Sequence, residues 1–230
     1  MSKKGERVTL PTPKTRNQKL LINALVNRPL TVVTGPAGTG KTFIAAACAA
    51  YLYREGRVEK IVITRPTVPV SRSIGFLPGE LLDKLMPWAL PITTTLEDFL
   101  GKGEVECMLK NGKIEIIPFE TIRGRSFDRT FMILDEAQNA TVEEMKAFTT
   151  RIGEDTTCVV NGDISQSDLD AESGLSSMLD VAFKIPDWID VVEFTVDDIV
   201  RSGLCKELVV AWAAVEAEAC TVGLPLQLRS

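Results

Sequence analysis

The chain of 230 residues, 45% hydrophobic and 25% charged, suits one compact α/β or mixed domain with a proper core and leaves no room for two large ones. It contains no histidine, which excludes Ser-His-Asp and Cys-His catalysis, His-ligated zinc and imidazole proton shuttling. The net charge of −5 hides a polarity: residues 1–28 carry seven basic and one acidic side chain, residues 131–230 six basic and nineteen acidic, an accident of solvated surface or a device for head-to-tail self-packing or for confining a polyanion to one face.

In chain order, residues 1–12 read as a flexible basic leader, with no hydrophobic segment behind it to make a signal peptide. Helical spacing over 15–26 precedes a strand-like run at 30–34. Then comes Gly35-Pro36-Ala37-Gly38-Thr39-Gly40-Lys41-Thr42, a full match to the phosphate-loop pattern, with a helical segment over 41–54 behind it. Its glycines let backbone N–H groups close on a phosphate, Lys41 suits the β and γ phosphates, and the Thr42 hydroxyl suits Mg2+. A strand is expected at 60–64, and 66–103, interrupted by five prolines, reads as an excursion from the sheet in short pieces.

Further strand-like runs fall at 114–119, 130–134, 157–161 and 191–195, with helices over 142–151, 173–183 and 203–219 and N-caps at Thr141 and Ser173. Several runs are apolar on both faces, as buried parallel strands are, so the alternation predicts an α/β domain with a mainly parallel sheet between helices. The run at 130–134 ends in Asp135-Glu136, which places two acids beside the phosphate loop. Asp135 suits the magnesium shell. In a chain without histidine, polarising the attacking water falls to a carboxylate, Glu136. The five cysteines are scattered, without a C-x-x-C pair, and the apolar runs are short and broken by charge. A reducing, cytoplasmic setting with no membrane contact is the expectation.

Several motifs narrow the class. Asp135-Glu136-Ala137-Gln138-Asn139, Thr64-Arg65-Pro66, Gly75-Phe76-Leu77-Pro78-Gly79, Ile122-Arg123-Gly124-Arg125, Gly162-Asp163-Ile164-Ser165-Gln166 and Asp198-Ile199-Val200-Arg201 together resemble the PhoH family, ATPases with a single core similar to superfamily 1 helicases. The resemblance covers about residues 12–213. It implies a three-layer RecA-like core, ATP and Mg2+ as cofactors, and single-stranded RNA or DNA as a partner. No RNA-binding or nuclease domain of the kind fused to some relatives is expected, so the short core is similar to bacteriophage versions. Residues 68–73 also lack the acidic side chains expected between the R-P and G-F-L-P-G elements.

On this resemblance Gln18 takes the adenine-reading position, unless it is a solvent-facing helical residue. Gln166 follows a buried strand and suits the γ-phosphate or its water, unless it is a polar turn residue. Arg201 matches the family's late arginine; a single core has no second lobe to supply a finger, so Arg201 either folds back in cis or enters a neighbour's site. The expectation is the latter, in a homo-oligomeric and by resemblance hexameric ring; the alternative is a surface arginine paired with Asp197 or Asp198. Arg65, Arg72, Arg123, Arg125 and Arg129 are candidates for a nucleic-acid path, against solvated charge or service to the nucleotide phosphates. A nucleotide-dependent scaffold for a partner protein and a small-molecule P-loop kinase are the other readings.

Overall fold

The computed structural model describes residues 7–66, 81–167 and 173–222; Arg72 and the 75–79 motif lie outside them. Six strands, β1 (Leu30–Thr34), β2 (Lys60–Arg65), β3 (Ile114–Pro118), β4 (Thr130–Leu134), β5 (Thr157–Gly162) and β6 (Ile189–Glu193), form one parallel sheet in the order β3-β2-β4-β5-β1-β6. Seven helices accompany them in the described residues: α1 (Arg16–Asn27), α2 (Lys41–Arg54), α3 (Leu81–Leu100), α4 (Lys102–Lys110), α5 (Val142–Thr149), α6 (Gly174–Lys184) and α7 (Gly203–Val222).

Alternation along the strands divides the core into two layers. Val33, Ile61, Ile63, Phe131, Ile133 and Val159 pack with α1 to α4, while Val32, Val62, Met132, Leu134 and Val160 pack with α5 and α6. β1 and β4 are buried on both faces, with Thr31 and Thr34 among the buried residues of β1. Small residues from Ala45 to Ala50 let α2 be buried all round, pressed between α1, α3 and the sheet.

The structure corrects the sequence reading in several places, among them α4, where no helix is expected. The stretch 81–100 is one helix although Pro87 and Pro91 lie inside it. Each proline removes one i→i−4 hydrogen bond, but Ala89, Ile92, Leu96 and Leu100 recur at helical spacing and are buried against the α2 side of the core, which outweighs the loss. The last strand begins two residues earlier than expected and stops at Glu193, because Thr195 is engaged as the N-cap of a 3-10 turn, Val196–Asp198, that accepts the backbone N–H of Asp197. Thr141 and Ser173 do cap α5 and α6. Among the described residues no helix is long and apolar enough to cross a membrane. Cys48 and Cys158 are buried thiols whose pKa is pushed up by burial, the first to about 12.

Candidate functional site

In a parallel sheet the loops that follow the strands gather at one edge. The order of this sheet puts β5 between β4 and β1, so the end of β5 emerges between the phosphate loop and the Asp135-Glu136 pair. A cleft of about 610 Å³ opens there, and Gln18, Lys41, Thr42, Asp135, Glu136 and Gln166 all line it.

The phosphate loop leaves β1 with Gly35, Gly38 and Gly40 at positive φ. Gly35 has no alternative, since a Cβ there would lie 2.3 Å from the Phe194 carbonyl oxygen. Gly40 is the N-cap of α2 and brings no side-chain cap, so the first N–H groups of the helix face the cleft ready for an anion. Thr39 is buried, its hydroxyl donating to Pro36 O at 3.0 Å; Ala37 and Gly38 line the cleft. Lys41 Nζ donates to Gly35 O at 2.6 Å and Pro36 O at 2.8 Å. Burial lowers the Lys41 pKa, while Asp163, Asp135 and Glu136 pull it back up.

Thr42, Asp135 and Asn161 form a closed triangle. The Thr42 hydroxyl donates to Asp135 Oδ1 at 3.2 Å, and Asn161 Nδ2 donates to Asp135 Oδ1 at 2.6 Å and to Thr42 Oγ1 at 2.9 Å. Burial raises the Asp135 pKa, with the Glu136 charge adding to it and Thr42, Arg65 and Asn161 opposing. Two buried oxygens nearby, Asn161 Oδ1 and Asp163 Oδ2, have no hydrogen-bond partner among the described residues. Hard oxygen donors with unused lone pairs fit Mg2+.

Glu136 sits in the left-handed region at φ 53°, an uncommon conformation for a non-glycine residue. Gln138 secures it: its Nε2 donates to Glu136 Oε2 at 2.6 Å while its Oε1 accepts the Asp163 N–H at 3.1 Å. Buried Gln138 thus ties the acid to the turn that carries Gln166. Sequence reasoning gives no role to Asn161 or Gln138; Gln138 lies inside the Asp135–Asn139 motif, and a polar residue ending a buried strand is the one sequence signal for Asn161.

Gln18 is at the site but differently employed. Its Oε1 accepts the Lys14 N–H at 2.7 Å and its Nε2 donates to Thr39 O at 2.9 Å, so it braces the phosphate loop. Arg201 shares the cleft. It lies against its own chain's loop, where a Cβ on Gly38 would come within 3.2 Å of Arg201 Cδ, and the Val200 N–H donates to Gly38 O at 3.2 Å. The segment from Phe194 to Arg201 straps over the loop, anchored by Phe194 N–H to Thr34 O at 2.8 Å and by Asn17 Nδ2 to Asp198 Oδ2 at 2.7 Å. Asp197 pairs instead with Lys206, and Asp198 with Asn17 and Thr195, so neither holds Arg201. Arg201 thus lines the cleft of its own chain.

The arginine path also separates. Arg65 lines the nucleotide cleft, close enough for its charge to act on Asp135. Arg125 turns back to Glu115 at 2.6 Å, a carboxylate that Lys60 also holds and that pairs in register with Val62, about 10 Å short of Arg65 by strand rise. Arg129 pairs with Glu59 at 2.9 Å, and Arg123 is exposed next to Phe119 and Glu144. These arginines do not line one groove.

The large terminase of the thermophilic bacteriophage D6E has a similar fold, with a TM-score of 0.54 at 13% identity over 85% of this chain and 49% of that one. Relatives by sequence are bacterial. The PhoH-like protein of Mycobacterium tuberculosis (strain ATCC 25618 / H37Rv) is 39% identical over 94% of this chain and 61% of its own length. That of Bacillus subtilis (strain 168) is 40% identical over 86% and 63%, and Protein PhoH of Escherichia coli (strain K12) is 41% identical over 86% and 57%. The chain spans about three fifths of the length of these relatives. The family model for PhoH-like protein matches residues 11–213, a stretch that runs from the brace on Gln18 through the phosphate loop and the acid pair to the arginine strap, and by that match the chain belongs to the PhoH-like family.

Proposed function

We propose that this chain hydrolyses ATP in a Mg2+-dependent reaction and couples it to single-stranded RNA or DNA. The observation that carries the reading is the convergence of Lys41, Thr42, Asp135 and Glu136, from the segments after β1 and β4, on one cleft at the strand ends. Thr42 and Asp135 would hold Mg2+, with Asn161 and Asp163 offering their unpartnered oxygens. When bound, the ion neutralises charge on the β and γ phosphates. Lys41 exchanges the carbonyls of Gly35 and Pro36 for phosphate oxygens, and the N-terminus of α2 receives the anion. Glu136 accepts a hydrogen bond from the attacking water and takes its proton, held in aim by Gln138. Arg201, in cis, adds positive charge over the loop.

Coupling to nucleic acid is supported by the helicase-type motifs, and by the strut through which Gln138 connects Glu136 to the Asp163–Gln166 turn. Self-association rests on a separate observation: Leu204, Leu208 and Trp212 recur every four residues on α7 and are all exposed, a stripe suited to a second copy. Phosphate release measured with and without single-stranded RNA or DNA tests the proposal. Stimulated turnover supports it, acceptor-dependent turnover points to a kinase, and tight nucleotide binding without turnover points to a scaffold.

A further inference from the structure

The cleft does not end at the phosphate loop. Beyond Thr42 it runs on to Phe43, and its far wall is made by Trp88, Pro91 and Thr95. These three recur at helical spacing, so they share one face of α3, and the packing of α3 on α2 sets that face beside the first turn of α2. The Phe43 ring is steadied by Phe99, with centroids 6.1 Å apart and planes at 59°, yet it remains 47% exposed. Trp88 is half-buried and rests on the core. Aromatic surface left open two residues from the phosphate-binding lysine is continuous with the seat of the triphosphate.

Two polar groups that could read a base edge there are already engaged. Gln18 Oε1 is taken by the Lys14 N–H, its Nε2 donates to Thr39 O, and the Thr95 hydroxyl donates back to Pro91 O at 2.9 Å. We infer that the base of the bound nucleoside triphosphate lies in this apolar extension, stacked on Phe43 with Trp88 as the opposing wall, and that the site discriminates weakly among bases. The inference rests on the triphosphate lying on Gly35–Thr42. Stacking tolerates any base because every base has a π-face, whereas strong rejection requires buried groups that hydrogen-bond one base and are left unpaired by another. In this cleft Gln18 braces the loop and leaves the base to the aromatic rings.

Calorimetric binding in Mg2+ with three probes, ATP, GTP and inorganic tripolyphosphate, tests this on the wild type, Phe43→Ala and Phe43→Tyr. ATP and GTP should bind the wild type within about threefold of each other, since stacking is sequence-tolerant. Phe43→Ala should weaken both by about tenfold or more and leave tripolyphosphate unchanged, while Phe43→Tyr, which keeps the ring, should bind all three as the wild type does. A preference for ATP over GTP beyond about thirtyfold would overturn the inference, because it demands base-edge recognition. So would a Phe43→Ala variant that binds ATP normally, or one that loses tripolyphosphate along with ATP. A wild type that binds neither ATP nor tripolyphosphate would overturn the phosphate-loop reading itself and this inference with it. Loss of ATP binding in Phe43→Ala with tripolyphosphate intact isolates the base contact alone.

Discussion

Asn161→Ala separates the support of Thr42 and Asp135, the proposed Mg2+ ligands, from their chemistry. Asn161 Nδ2 donates at 2.6 Å to Asp135 and at 2.9 Å to Thr42, and a hydrogen bond to a charged group contributes about 1.5–3 kcal/mol. Its own Oδ1 is buried without a partner among the described residues, which costs roughly 1–3 kcal/mol and disappears with the side chain. The two effects oppose each other, so the nucleotide-free protein should change in stability by less than about 1.5 kcal/mol in urea unfolding, with an unchanged m-value. Metal-dependent binding has no such compensation. Removing a partner that orients first ligands typically lowers metal affinity by about 10–100-fold. Calorimetry should therefore show ATP affinity without Mg2+ within about twofold of wild type, and the gain on adding Mg2+ reduced by about 10–100-fold. Equal weakening with and without Mg2+ would refute the reasoning, as would an unchanged Mg2+ gain.

Three further outcomes follow from the strap over the phosphate loop. Gly35→Ala places a Cβ 2.3 Å from Phe194 O at a φ of 129°; it should lower stability by about 3 kcal/mol or more and abolish tight nucleotide binding, and a normal melting curve would contradict that packing. Burial pushes the Asp198 pKa up, but hydrogen bonds from Thr15, Thr195 and Asn17 outweigh it and hold the pKa below the usual value. A carboxylate held low stabilises the fold above its unfolded pKa, about 3.9, and loses that contribution as pH falls through the folded value. Asp198→Asn should accordingly be less stable than wild type at neutral pH and converge with it in acid; a difference independent of pH would count against the anchor. Arg201→Ala should lose ATPase activity and gain nothing when mixed with Lys41→Ala subunits, because Arg201 serves its own cleft. Rescue in the mixture would show that it acts in trans.

Much of the site was legible because the chemistry is local. The loop from Gly35 to Thr42 and the pair Asp135-Glu136 each follow a strand whose apolar run is visible in the sequence, and both sit where the motifs put them. What escaped depends on contacts between distant segments. Asn161 matters only because β5 lies between β4 and β1, an order that no single segment encodes. Arg65 and Arg125 look alike in sequence, yet one faces Asp135 and the other is drawn to Glu115 on β3. Prolines at 87 and 91 argued locally against a helix, and the buried face of α3 overrode them. The cis placement of Arg201 follows from the strap from Phe194 onward, whose anchors at Thr34 and Asn17 come from the other end of the chain.

On the proposed function Glu136, in a chain without histidine, activates the water that attacks a bound triphosphate. Glu136→Gln keeps the size and the hydrogen bonding to Gln138 while removing the base. Measured side by side, nucleotide affinity and single-turnover phosphate release should show binding within a few-fold of wild type and turnover reduced by about 10²-fold or more. Turnover at the wild-type rate in Glu136→Gln would contradict the account.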